Sequence, residues 1–164
     1  MYICLPNKIL IMKLLNSPTF IDNRGWYTPI PLDIFDIKWK QCSISYNEKK
    51  FTFRGMHYQI NPPQTKYVKV AKGSIIDFIY DLDTGEVDYI KVDENSAVLI
   101  PNTKAHGFLT LEPETIVTYL VEGEYNPSSE HSIVWSNIPK IKSEILSIIG
   151  DSEIIVSEKD SIGK

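Results

Sequence analysis

The chain has 164 residues, with 10 Pro, 8 Gly, 3 His and 2 Cys, and it is 43% hydrophobic and 23% charged. That length suits a single domain able to bury roughly two-thirds of its unfolded surface, so no metal or disulfide staple is required, and the composition is not that of a disordered chain. Cys4 and Cys42 cannot build a Cys-rich zinc cluster, and a formal charge of −4 without a basic stripe argues against nucleic acid, though not against a small anion.

No run reaches the roughly 18 apolar residues of a membrane span. The apolar stretch Met1–Leu15 is broken by Pro6, Asn7, Lys8 and Lys13 and lacks the core and cleavage site of a signal peptide, so it reads as the first strand of a cytoplasmic protein. Free thiols at Cys4 and Cys42 suit that compartment. Pro31–Ile37 has room for one turn of helix. From Tyr67 onward, short apolar runs alternate with turn residues: Tyr67–Val70, Ser74–Tyr80, Tyr89–Val92, Ala97–Ile100, Gly107–Leu111, Ile116–Val121 and Ile133–Trp135. Runs rich in Val, Ile, Tyr and Phe, bounded by Gly, Pro, Asn and Asp, are strands. One about every ten residues implies an antiparallel sandwich or barrel. Ser74–Tyr80 is apolar on both faces apart from Asp77, which marks a central strand. Lys142–Ile149, closed by Gly150, has helical spacing. Ile154–Lys164 starts like a strand and ends charged, and by composition alone Glu158-Lys159-Asp160 is a solvated tail. There is no internal repeat or linker, so residues 1–164 are expected to form one domain.

Three histidines can be weighed singly. His131, in the polar stretch Ser128-Ser129-Glu130-His131, reads as an exposed loop residue. His57 and His106 lie in mixed segments. Sandwich-type barrels of the cupin class often hold a divalent metal with a His-x-His pair, a nearby Glu and a later His, but Gln59 stands at the second position of such a pair and no Glu follows closely. Two isolated histidines are a poor metal site, so none is expected. Acid–base chemistry is the other option: a His near neutral pKa sharpened by a carboxylate, a Tyr returning a proton, a Lys stabilising an enolate. Spacing alone does not show that such residues converge.

Arg54-Gly55-Met56-His57-Tyr58-Gln59 resembles the RG-(L/M)-H-(F/Y)-Q motif of the nucleotide-sugar 3,5-epimerases, the dTDP-4-dehydrorhamnose 3,5-epimerase family. Asp22-Asn23-Arg24-Gly25-Trp26, Pro63–Val68, Gly73–Asp77, Ile100–Phe108, Tyr119 with Tyr125–Glu130, and Ser157–Asp160 resemble further motifs of that family, in the same order. The resemblance implies an all-β fold, a cupin-like antiparallel β-sandwich or barrel (jelly roll) with one or two short helices. It implies a homodimer without metal or cofactor, acting on a nucleotide-diphosphate 4-keto sugar. It gives His57 the role of base, Asp160 that of its orienting partner, Tyr119 that of acid and Lys66 that of enolate stabiliser. Arg24, Gln41, Arg54, His106, Tyr125, Glu130 and Lys159 would contact the nucleotide sugar or shape its pocket.

The chain departs from the family pattern at three places. Pro29 stands where a Glu is usual, Gln41-Cys42-Ser43 lacks an Asn, and a later D-(L/I/V)-R segment is shortened to Asp81-Leu82-Asp83. The acid–base set is intact, so the reaction type is better supported than the nucleotide or sugar. A sugar 3,4-ketoisomerase is one alternative, although those relatives read RG-x-H-A-H. A non-catalytic nucleotide-sugar-binding module is another.

Overall fold

Among the described residues there are thirteen strands and two α-helices, and most strands coincide with the apolar runs of the sequence. The computed structural model describes residues 13–17, 19–33 and 36–163. Cys4 and the first 12 residues of the expected N-terminal strand lie outside the described residues, as do residues 34 and 35 of the expected helical turn. In chain order the strands are β1 (Lys13–Asn16), β2 (Phe20–Asp22), β3 (Gly25–Tyr27), β4 (Trp39–Asn47), β5 (Thr52–Gln59), β6 (Lys66–Lys72), β7 (Ser74–Asp81), β8 (Val87–Asp93), β9 (Ser96–Ile100), β10 (Lys104–Thr110), β11 (Thr115–Glu122), β12 (Glu130–Ser132) and β13 (Ile155–Val156). The helices are α1 (Pro139–Ile149) and α2 (Glu158–Ile162).

Two antiparallel sheets face each other. One has the order β1-β9-β6-β11-β4, the other β12-β5-β10-β7-β8, with β13 added parallel to β5. Val68, Val70, Val98, Ile100 and Val117 from the first sheet meet Ile75, Ile79, Val92 and Phe108 from the second in one core. The far side of the second sheet is covered by α1, whose Ile141, Ile145 and Ile149 recur every four residues and pack with Phe53, Met56, Phe78 and Leu109. Both faces of β7 are therefore buried, which explains its apolar run on both sides: Ile75 and Ile79 face the sandwich, while Ile76, Phe78 and Tyr80 face α1. Each fully buried large apolar side chain contributes about 1.5–3 kcal/mol. Gly150, at φ 58°, ends α1 by donating its N–H to the Leu146 carbonyl.

Several expectations are corrected. β4 and β5 are strands that do not follow apolar runs, because their cavity-facing positions Ser43, Ser45, Arg54 and His57 are polar. Trp135 opens a short 3₁₀ turn (Trp135–Asn137) rather than closing a strand, and the strand itself is Glu130–Ser132. His131 is not an exposed loop residue; it lies on β12 and stacks on Tyr58 with ring centroids 5.3 Å apart. The charged tail is the helix α2, on which Asp160 is buried. No helix among the described residues is long and apolar enough to cross a membrane.

Candidate active site

The inward-facing row of each strand is apolar over most of the sandwich and polar toward one end. On β6 it runs Lys66, Val68, Val70; on β11 it runs Val117, Tyr119, Val121. Where the polar ends meet, they line a cavity of about 310 Å³. The β12-β5-β10-β7-β8 sheet supplies Arg54, His57, His106 and Phe108; the opposing sheet supplies Lys66, Tyr119, Val121, Ser43 and Ser45; α2 supplies Asp160.

Close approach of β5 and β10 sets the two histidines side by side. His57 and His106 are register partners, and the register slips between His106 and Phe108. There, Gly55 and Gly107 touch back to back. A Cβ on Gly55, whose φ is +140°, would lie 2.3 Å from the Cα of Gly107, and one on Gly107 would lie 2.7 Å from the Arg54 carbonyl oxygen. Only glycine fits both places.

Asp160 reaches this bulge from α2. Its Oδ1 is 2.7 Å from His57 Nε2, and its Oδ2 accepts the Gly55 N–H at 3.2 Å. The side chain of Ser157 caps α2 by accepting the Asp160 N–H, which fixes the residue at the first turn. Burial opposes ionisation of Asp160, but the bond to His57, its charge, the Gly55 amide and Lys159 outweigh it and hold the carboxyl below its ordinary value.

On the opposite wall, Tyr119 OH and Ser45 Oγ are 2.9 Å apart. Burial raises the phenol well above its usual pKa, so it is protonated throughout the physiological range; Ser45 and Arg54 pull in the other direction. Lys66 lies beside these groups, its Nζ 3.5 Å from the His57 carbonyl oxygen. Removal from water lowers its ammonium to about 8. Arg54 Nε donates to Asn47 Oδ1 at 2.7 Å, which aims the guanidinium along the cavity.

The remaining expected site residues are distributed differently. Glu130 Oε2 accepts from Lys159 Nζ at 2.7 Å and from Tyr125 OH at 3.1 Å, a cluster beside Asp160 that does not line the cavity. Gln41 donates to Ser43 Oγ at 2.6 Å, on the cavity-facing row of β4. Arg24 is not brought to the cavity of its own chain. It lies on the exposed β2–β3 ribbon, which joins neither main sheet, and forks onto Asp22 with its Nη2 2.5 Å from Oδ2.

Gln59 is buried, and its amide group is fully used. It donates to the Pro62 and Glu124 carbonyls at 2.6 and 2.9 Å and accepts the Asn126 N–H at 2.8 Å. The residue at the position of a second metal-binding His therefore ties two loops together. Among the described residues, no group of three or more His, Cys, Asp or Glu could hold a metal ion.

Sequence reasoning missed Asp77, Ser45 and Asn47. Asp77 was visible as the one charge in an apolar strand. Ser45 and Asn47 gave no signal, since their importance lies in which side chains they meet across the sheet.

The family model described as dTDP-4-dehydrorhamnose 3,5-epimerase matches residues 8–164. The dTDP-4-dehydrorhamnose 3,5-epimerase of Methanothermobacter thermautotrophicus is 40% identical over 161 residues, spanning 90% of this chain and 85% of that protein. That of Sinorhizobium fredii is 29% identical over 156 residues, spanning 83% and 80%. The crystal structure of the Bacillus anthracis dTDP-4-dehydrorhamnose 3,5-epimerase with TDP and PPi bound has a TM-score of 0.77 at 30% identity, covering 92% of this chain and 91% of that one.

Proposed function

The chain belongs to the dTDP-4-dehydrorhamnose 3,5-epimerase family, and from that premise we propose that it inverts C3, or C3 and C5, of a nucleotide-linked 4-keto-6-deoxy sugar through an enolate. The observation that carries this is the placement of a His–Asp pair on one wall of the cavity and a Tyr, with a Lys beside it, on the other.

His57 is the base. With Asp160 ionised, their shared proton sits on Nε2, which leaves Nδ1 as a lone pair able to take a proton from the carbon next to the ketone. Lys66 is the cation that steadies the negative charge developing on the 4-keto oxygen. Tyr119, protonated at neutral pH, returns a proton from the far side. Removal on one face and delivery on the other is the requirement for inversion, and the two opposed sheets meet it. Arg54 is suited to the diphosphate, because a planar guanidinium pairs with phosphate oxygens in a fork. Gln41, His106, Tyr125, Glu130 and Lys159 surround the nucleotide sugar or brace those that do.

This reading takes residues 1–164 as one domain, acting in the cytoplasm as a homodimer in deoxysugar biosynthesis. The dimer is supported by the exposed Phe20, Ile21, Trp26 and Tyr27 of the β2–β3 ribbon and by Ile44 and Tyr46 on the edge strand β4. A second copy seated there would also give Arg24 a cavity to enter. The 3,4-ketoisomerase alternative loses support from Gln59, whose side chain is committed to two loops. The test is a panel of dTDP-, GDP-, UDP- and CDP-linked 4-keto-6-deoxy sugars, with product stereochemistry read by NMR. The expected result is inversion at C3 or at both carbons for one nucleotide. Binding without inversion of any of them would overturn the proposal.

A further inference from the structure

We infer that Asp77 is held as a neutral carboxylic acid that donates its proton to Nδ1 of His106, so that His106 presents Nε2–H to the cavity as an uncharged hydrogen-bond donor. The inference rests on the epimerase reading only for what that donor would meet, the oxygen of the enolate; the protonation state itself stands on geometry.

β7 and β10 pair antiparallel, with Ile79 opposite His106 and Asp77 opposite Phe108. Asp77 and His106 are therefore diagonal neighbours on the cavity-facing side of the sheet. Asp77 Oδ1 lies 3.5 Å from His106 Nδ1. Asp77 is 0% exposed, and among the described residues neither of its oxygens, nor His106 Nδ1, has a hydrogen-bond partner.

An ionised carboxylate in that position would have no donor closer than one neutral imidazole at the limit of hydrogen-bond range, which is a costly way to bury a charge. An imidazolium–carboxylate pair is disfavoured from the other side. The charged and titratable groups around the pair are Lys66 from β6, His57 from β5 and Tyr119 from β11, with Arg54 of β5 lining the same cavity. Two of these, Lys66 and Arg54, are cations, and Lys66 opposes a positive His106. Burial drives both members toward their neutral forms, raising Asp77 and lowering His106, with only Lys66 favouring ionised Asp77. A neutral acid facing a neutral imidazole satisfies both buried groups with one hydrogen bond, once the 3.5 Å separation closes to bonding distance.

The contrast with His57–Asp160 supports the assignment. Asp160 has two donors, His57 and the Gly55 N–H, and the charge of Lys159 nearby, so it is anionic and makes His57 a base. Asp77 has no hydrogen-bond donor and only the charge of Lys66 nearby, and it makes His106 a donor. Two His–Asp pairs on one sheet thus hold opposite charge states, and environments that push like groups apart in this way divide acid from base roles. Asp77 is a positioning residue, since it acts through His106.

The experiment is infrared difference spectroscopy of the substrate-free protein near pH 7 in D2O, wild type against Asp77→Asn. The expected result is a protonated-carboxyl carbonyl band in the wild type that Asp77→Asn removes, with His106 carrying its proton on Nε2 in 15N NMR. Asn is the neutral isostere and its amide can donate to Nδ1, so Asp77→Asn should keep kcat within about threefold while Asp77→Leu lowers it about tenfold. If Asp77→Asn does not fold, 13C-labelled aspartate in the wild type carries the test: one carboxyl carbon should stay at its protonated shift from about pH 5 to 9. A wild type with every aspartate ionised in that range, or a proton on His106 Nδ1, would overturn the inference. These spectra need no substrate, so their outcome is independent of whether the epimerase reading holds.

Discussion

Replacing Asp160 with Asn tests how much of the catalysis depends on an anion behind His57. Asp160 accepts twice, from His57 Nε2 at 2.7 Å and from the Gly55 N–H at 3.2 Å. An amide has one acceptor oxygen. Placed against Gly55, it turns its NH2 toward Nε2, donates there, and forces the imidazole proton onto Nδ1, where the lone pair is needed. Placed against His57, it sets NH2 against the Gly55 N–H. Either arrangement forfeits a charge-assisted hydrogen bond, about 1.5–3 kcal/mol. At about 1.36 kcal/mol per factor of ten, deuterium exchange into a 4-keto sugar should slow by about tenfold to 150-fold, which reaches only the lower end of the range of about 10²–10⁴ for a whole general base, as expected when the base itself is kept. The assay is NMR-monitored exchange in D2O at saturating substrate, with circular dichroism verifying the fold. Exchange within threefold of wild type would mean that a neutral partner serves as well as an anion, and that the charge of Asp160 is not what activates His57.

Lys66 titrates at about 8 in the folded chain, so its stabilising charge should fade as pH rises through that value; kcat should decline with a one-proton slope above about pH 8, a limb that Lys66→Met should lack. Gly107→Ala would put a methyl 2.7 Å from the Arg54 carbonyl oxygen and 2.8 Å from the Gly55 Cα; it should lower stability by about 1–3 kcal/mol in urea titration and slow exchange, since it separates His57 from His106. Asp81 forms a buried ion pair with Lys104 and is held at about 2, so its contribution is complete above the unfolded value of about 3.9 and is lost as pH falls through about 2. Asp81→Asn should remove that acid-range dependence and cost about 3–5 kcal/mol near neutral pH by leaving Lys104 buried without its counter-ion, measured by thermal unfolding from pH 2 to 7.

Much of the fold could be read from period and punctuation. β6 to β11 follow runs of Val, Ile, Tyr and Phe because one or both of their faces are dry, and α1 follows the spacing of Ile141, Ile145 and Ile149 to Gly150. β4 and β5 escaped because Ser43, Ser45, Arg54 and His57 put polar side chains on the inward row, which is what a cavity needs and what an apolar pattern conceals. The pairing of His57 with Asp160, 103 residues apart, has no local signal; composition alone made the tail solvated, and only its motif suggested otherwise. The role of Asp77 needed the third dimension, since a charge in an apolar strand can equally end in an ion pair, as Asp81 does. Arg24 shows the converse. Its motif is recognisable, but its place in one chain is an exposed ribbon held to Asp22.

In the proposed reaction His57 removes a carbon-bound proton on one face of the sugar and Tyr119 returns one on the other. Incubation of dTDP-4-keto-6-deoxyglucose in D2O with wild type, His57→Ala and Tyr119→Phe tests it most directly, with deuterium at C3 and C5 and product configuration read by NMR. The expected outcome is deuterium and inversion at C3, or at both carbons, for wild type, no exchange for His57→Ala, and for Tyr119→Phe exchange that continues at one carbon without complete inversion. Undiminished exchange by His57→Ala, or normal inversion by Tyr119→Phe, would contradict it.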